Sequence, residues 1–149
     1  MADPLSIGAG VVGIIVPALH GSRLLLDDLR CIIDAPKAIE TLKEDISSLE
    51  IALTSLQAVK DVEWDLFGNT IVEQSKVTIH SCTKACDMFR ADLQRWTKHS
   101  DKGKLSWQDR ANVGFFKQRQ IKAICDQLQT CQISINSVVG IATLWVASC

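Results

Sequence analysis

Between Thr70 and Thr97, the residues Val72, Ser75, Ile79, Cys82, Cys86, Phe89, Leu93 and Trp96 recur at alternating steps of three and four residues without a miss. A strand would repeat every two residues; only a helix, at 3.6 residues per turn, gathers these positions onto one stripe. Three other stretches carry the same spacing. The second is Ile39, Leu42, Ile46, Leu49, Leu53 and Leu56. The last is Ile121, Ile124, Leu128, Cys131, Ile135, Val138, Ala142 and Trp145. Near the start come Val11, Ile15, Ala18, Ser22, Leu25, Leu29 and Ile32. Four such stripes can bury one another, so the expectation is an all-α fold, an antiparallel helical bundle of about four long helices. The chain has only 3 Pro and no Tyr, and no stretch of strand character competes. Its 149 residues suit a single domain with a full core.

The breaks between stripes place the helices. The first is expected over Pro4–Ile33, started by a capping Asp3 and by Pro4 at the first helical position. Pro17 lies inside it and cannot donate to the carbonyl of Gly13, which predicts a kink or a break between Gly13 and Gly21. Asp34-Ala35-Pro36 leads into a second helix over Pro36–Val59. Lys60–Gly68 reads as an acidic connection around Trp64 and Phe67, one of which folds back to close the core. Gly68-Asn69 turns the chain into a third helix over Thr70–Thr97. Thr97–Ser106 reads as a basic loop. Ser106 and Asp109 form a capping box ahead of a further helical run over Trp107–Phe116, with Asn112-Val113-Gly114 able to bend it. The last helix is expected over Lys117–Val146. It carries no charge after Asp126 yet is dotted with Gln, Ser, Thr and Asn, which is too polar for a membrane span, and its simplest cover is the equally uncharged first helix.

The most apolar run is Pro4–Leu19, which contains no charged residue. Sixteen helical residues reach about 24 Å, short of the roughly 30 Å of a bilayer core. No Lys or Arg precedes the run, so it does not read as a signal peptide. One reading is a helix in the middle of the bundle, apolar all round because neighbours surround it. The other is a helix that leaves the bundle to enter a membrane, with Pro4, Leu5, Ile7, Val11, Val12, Ile14, Ile15, Val16 and Leu19 as its insertion candidates. Small residues four apart, Ser6 with Gly10 and Ala9 with Gly13, let another helix approach closely. The buried helix is the expected resting state.

Charge is divided along the chain. Arg90–Lys122 holds nine Lys or Arg against three Asp or Glu, whereas Met1–Met88 has a net of −6. The basic patch candidates are Lys98, Lys102, Lys104 and Arg110. They read as a solvated loop or as a site for anionic lipid heads or an acidic partner. Trp96 and Trp107 flank that loop, but Trp96 also belongs to the stripe and is expected in the core. The overall charge of −1 gives no reason to expect nucleic acid. Arg23, Asp27, Asp28 and Arg30 read as a solvated face with weak pairs.

The six cysteines, with no secretory signal, read as reduced cytosolic thiols rather than a disulfide framework. Cys82 and Cys86 sit on the stripe while His80 does not, so no four-ligand metal site is expected. The chain has no phosphate-binding loop, dinucleotide fingerprint or nucleophile elbow. His20, His80 and His99 are scattered, and neighbouring carboxylates such as Asp27-Asp28 diverge on a helix. No enzyme activity and no cofactor is expected.

Several segments resemble a known family: the opening Met1-Ala2-Asp3-Pro4-Leu5-Ser6-Ile7, the Val11–Val16 block, Leu42-Lys43-Glu44-Asp45-Ile46 with Leu49, Phe89-Arg90-Ala91-Asp92-Leu93 with Trp96, and the Trp107–Phe116 run. It is the fungal N-terminal domain named after the azaphilone pigment biosynthesis cluster protein L. In layout the chain is also similar to the HeLo and HeLo-like domains of fungal STAND-type immune receptors. The resemblance implies an all-helical bundle and, for HeLo-type members, membrane targeting through the first helix and regulated cell death. Only Pro4–Leu19 carries that role over, and no catalytic residue does. The expectation is a cytoplasmic signalling or effector domain, the N-terminal part of a longer protein, that oligomerises and joins membranes when activated. The partners implied are a second copy or another helical protein, and anionic lipids. The alternative is a helical interaction or scaffold module with no membrane role. A third is an enzyme or small-molecule binder using an apolar pocket in the bundle.

Overall fold

The computed structural model describes residues 7–32, 35–98 and 117–148. They form helices α1 (Ile7–Arg30), α2 (Lys37–Gln57), α3 (Asp61–Phe67), α4 (Asn69–Trp96) and α5 (Gln118–Ser148), and no strand occurs among the described residues. The run Trp107–Phe116 and the Asp3-Pro4 start lie outside them. The expected all-α bundle and its apolar first helix are both present. Every stripe residue of α2 and α4 is buried. In α1 the stripe is buried from Val11 to Leu29, and Ile32 is half-buried. In α5 it is buried through Ala142 except for a half-buried Val138; the side chain of Trp145 lies outside the described residues. The two stripe hydroxyls turn back on their own helices, Ser22 Oγ to the Leu19 carbonyl at 2.9 Å and Ser75 Oγ to the Ile71 carbonyl at 2.8 Å. Neither is therefore an unpaired polar group in the core.

The four long helices alternate in direction along the chain, but neighbours in space are not always neighbours in sequence. α1 packs on α2 and α4, and α5 packs on the same two. α1 and α5 are thus diagonal, as are α2 and α4. Contacts fix the directions. Gly10 faces Lys76, Gly21 faces Asp87 and Asp28 pairs with Arg90, so α1 and α4 run the same way. Ser81 meets Gln127 while Trp96 meets Lys117, so α4 and α5 run opposite ways. Each of the four packed seams carries a polar tie at its rim: Arg23–Glu50 at 2.7 Å, Asp28–Arg90 at 2.5 Å, Gln127–Ser81 at 2.9 Å and Gln129–Asp45 at 3.3 Å. At such exposed or half-exposed rims a pair contributes at most about 1 kcal/mol, so the ties set register more than stability. Arg23 and Asp28 therefore do more than decorate a solvated face.

Three expectations are corrected. Lys60–Gly68 is not a plain connection. α2 ends diagonally across from where α4 begins, about 13 Å away for helices 8–10 Å apart. The chain spans that gap with α3, which packs on α1 and α4. Its Glu63 accepts the Lys60 N–H at 3.4 Å, and Gly68, at φ +84°, makes the left-handed turn into α4. Both Trp64 and Phe67 close the core, edge to face with centroids 5.2 Å apart. Second, α5 is covered by α2 and α4, not by the first helix, because α1 is its diagonal partner. Third, α1 is not surrounded. With α2 and α4 on one side, Gly10, Gly13, Val16, Pro17 and His20 remain exposed. The helix also runs unbroken through Pro17. The Gly13 carbonyl that Pro17 cannot serve lies on this outward side, where water can serve it.

Candidate functional site: the outward face of the first helix

Of the insertion candidates, Val11, Ile15 and Leu19 are core residues, Val12 and Ile14 are half-buried, and Val16 is 52% exposed. Pro4 and Leu5, and the side chain of Ile7, lie outside the described residues. The sequence candidates therefore divide between two faces. The inner face holds the helix in the bundle. The outer face, from Gly10 to His20, carries no Asp, Glu, Lys or Arg. A Cβ at Gly13 would meet nothing within 4 Å, and one at Gly10 would meet only the Lys76 side chain, at 3.8 Å. The backbone is thus open to close approach on this side. Gly21 differs: it is buried against Cys86 and Asp87 and lets α1 and α4 approach. By length and composition Gly10–Arg30 is long and apolar enough to cross a membrane, and 44% of that stretch is buried inside the bundle.

Of the basic patch, Lys98 is exposed just past the end of α4. Lys102, Lys104 and Arg110 lie outside the described residues. Lys117, Arg119 and Lys122 join Lys98 at that end of the bundle, and the Lys117 ammonium sits 5.5 Å over the Trp96 ring. Trp96 is buried, edge to face on Phe89 at 5.4 Å, as its stripe position implies. Gly10 lies level with Lys76, twenty-two residues before Lys98. At 1.5 Å per residue the basic end and the start of α1 are about 30 Å apart. They do not form one face.

The other chemistry-bearing residues are placed as structural groups. His20 and His80 are exposed and apart. Cys31, Cys82, Cys86, Cys125 and Cys131 are free thiols. Among the described residues no three His, Cys, Asp or Glu side chains converge as metal ligands. Cys131 reaches the Thr78 carbonyl at 3.8 Å. It also shares a hydrogen bond with Cys82, which holds the proton on Cys82 and favours its loss from Cys131. Burial, with the nearby Asp87 charge, pushes Cys86 up to about 12; burial, with the Asp45 carboxylate beside it, does the same to Cys125. An unfolded thiol titrates near 8.5, so from there to about pH 12 the unfolded chain binds fewer protons than the folded one. The stability these two thiols contribute is full below about pH 8 and is lost as pH rises through that window. Cys86→Ala and Cys125→Ala should each flatten the fall measured by urea unfolding at pH 8, 9 and 10. A slope unchanged in both variants would show that these thiols are not the source.

Sequence reasoning missed the four interhelical ties. Asp28, Asp45, Ser81 and Gln127 flank the stripes, where polar residues read as solvated; only packing tells which neighbour they meet.

The fold and this surface define an all-helical bundle domain with an uncharged outward face on α1, as α5 also has beyond Asp126, and with no catalytic constellation among the described residues. The family model described as pigment biosynthesis cluster protein PigL N-terminal matches residues 2–149, and the chain belongs to that family. Neither a curated protein nor a solved structure matches it.

Proposed function

We propose that the domain is a signalling or effector module that associates with copies of itself through the outward face of α1. The observation that carries this reading is the two-sided character of that helix: Val11, Ile15 and Leu19 lock one side into the core while the other side, around Gly13 and Pro17, carries no charge of its own and is open, with the Lys76 side chain flanking it at Gly10. Small residues on such a face let a second helix pack closely, and the one flanking charge, the Lys76 ammonium beside Gly10, is paired with Glu73 at 3.5 Å. The likeness to HeLo-like domains belongs to this proposal, as does membrane targeting in an activated state. Lipid entry would need α1 to leave the bundle and take its seven buried apolar residues, from Val11 to Leu29, with it. The apolar length of Gly10–Arg30 favours that step, and the 30 Å between α1's start and the basic end weighs against simple surface recruitment. The scaffold reading, association with another helical protein and no lipid, uses the same face.

The test is Gly13→Glu, which has room for its side chain and leaves the fold intact. By sedimentation velocity the wild type should self-associate with rising concentration, and Gly13→Glu should remain monomeric with the same melting temperature. A wild type that stays monomeric at every concentration would overturn self-association. Flotation with anionic vesicles at low salt tests the lipid step. Binding that is lost on changing Lys98, Lys102 and Lys104 to Glu, with unchanged circular dichroism, supports it. Protein that stays in the aqueous fraction at low salt retires it.

A further inference from the structure

The α4–α5 seam closes tightly where Cys131 meets Thr78 and then opens toward the start of α4, leaving a groove of about 240 Å³. Its floor is Leu56 of α2, wholly buried, and its walls include Ile71 and Val138, both half-buried. No ionisable side chain lines it among the described residues. Two lining hydroxyls, Ser75 and Ser137, bond back to carbonyls of their own helices at 2.8 Å and 3.0 Å. The side chains of Gln74, Thr78 and Ser134 also line the groove, and they have no protein partner among the described residues. Apolar walls with a few unengaged neutral donors and acceptors are the make-up of a small-molecule site.

We infer that this groove binds an uncharged amphipathic small molecule, with an aromatic or alkyl body and a hydroxyl or carbonyl at one edge. An apolar cavity of about 150 Å³ holds benzene, so this one takes a body of two fused rings or its equivalent, about eight to twelve non-hydrogen atoms. It is too small for a helix of about 10 Å diameter. The body rests on Leu56, Ile71 and Val138, and the polar edge meets Gln74, Thr78 and Ser134. A carboxylate or ammonium is rejected, because it would lose its water and find no counter-charge. The site lies on the side of the bundle diagonal to α1, so it is independent of association through that helix.

The probe is 1-naphthol at pH 7, with 1-naphthoate as the charged counterpart, titrated into the whole chain and followed by calorimetry and by amide chemical shifts. For a ligand of this size a dissociation constant on the order of 10–100 µM is expected. Naphthoate should bind at least tenfold more weakly, with the largest naphthol shifts at Gln74, Thr78 and Ser134. Ser137→Trp, at an exposed lining position, fills the groove and should abolish binding. Gln74→Lys, also exposed, supplies a cation and should reverse the preference in favour of naphthoate. This second variant keeps the test decisive if the first is poorly folded. No saturable naphthol binding overturns the site, as does equal affinity for naphthoate or affinity unchanged in Ser137→Trp. A sedimentation coefficient that falls in Ser137→Trp, with no naphthol bound by the wild type, would assign the groove to a second copy of the chain instead.

Discussion

Leu128→Asp and Leu49→Asp each unfold the bundle. Leu128 of α5 and Leu49 of α2 are wholly buried, on two helices that pack against each other. A carboxylate at either position is surrounded by stripe residues and has no cation to pair with. Burying an unpaired charge costs so much that the chain opens or the group takes up a proton instead, and the loss of the leucine's own packing adds to it. The expected loss is several kcal/mol, against a total of about 5–15 kcal/mol for a domain of this kind. Urea unfolding followed by circular dichroism reads it directly. Either variant keeping the wild-type midpoint would mean that the stripe does not face the core. Lowering the pH should partly rescue both variants, since a neutral Asp is cheaper to bury than a charged one.

Trp64→Ala should cost about 3–5 kcal/mol, the range for truncating a large buried aromatic. Trp64 is wholly buried on α3, and its ring contacts Phe67 edge to face at 5.2 Å. The residue lies where the chain crosses the end of the bundle beneath α1, so its loss loosens the crossing and the first helix together. Trp64→Phe should cost far less. It keeps an aromatic ring in place and removes an indole N–H that finds no hydrogen-bond partner among the described residues. The pair is read by denaturant midpoints, with amide hydrogen exchange in α1 as the local measure. If Trp64→Ala matched the wild type in both, α3 would be a passive linker.

Much of this architecture was legible because a helical stripe is a local property. The three-and-four spacing from Val72 to Trp96 requires no knowledge of the partner helix, and all of its positions are buried. It also gave Cys82 and Cys86 their role as core thiols, and Trp96 its place under Phe89 rather than at a membrane. The candidate site was legible only in part. Pro4–Leu19 stands out by composition, yet composition does not distinguish Val11 and Ile15, which face α2 and α4, from Val16, which faces solvent.

What the sequence by itself determined is therefore the number of long helices, their inner faces and their all-α character, since helix periodicity and chain breaks act over a few residues. What only the tertiary structure decided is which helices are neighbours. A stripe states that a face must be covered but not by which partner, because apolar burial is non-directional. Two otherwise similar arrangements place α5 against α1 or diagonal to it. The structure takes the diagonal one, with α3 spanning the end of the bundle and Asp28–Arg90 and Asp45–Gln129 at the rims. That choice leaves one side of α1 open to solvent and opens the groove between α4 and α5.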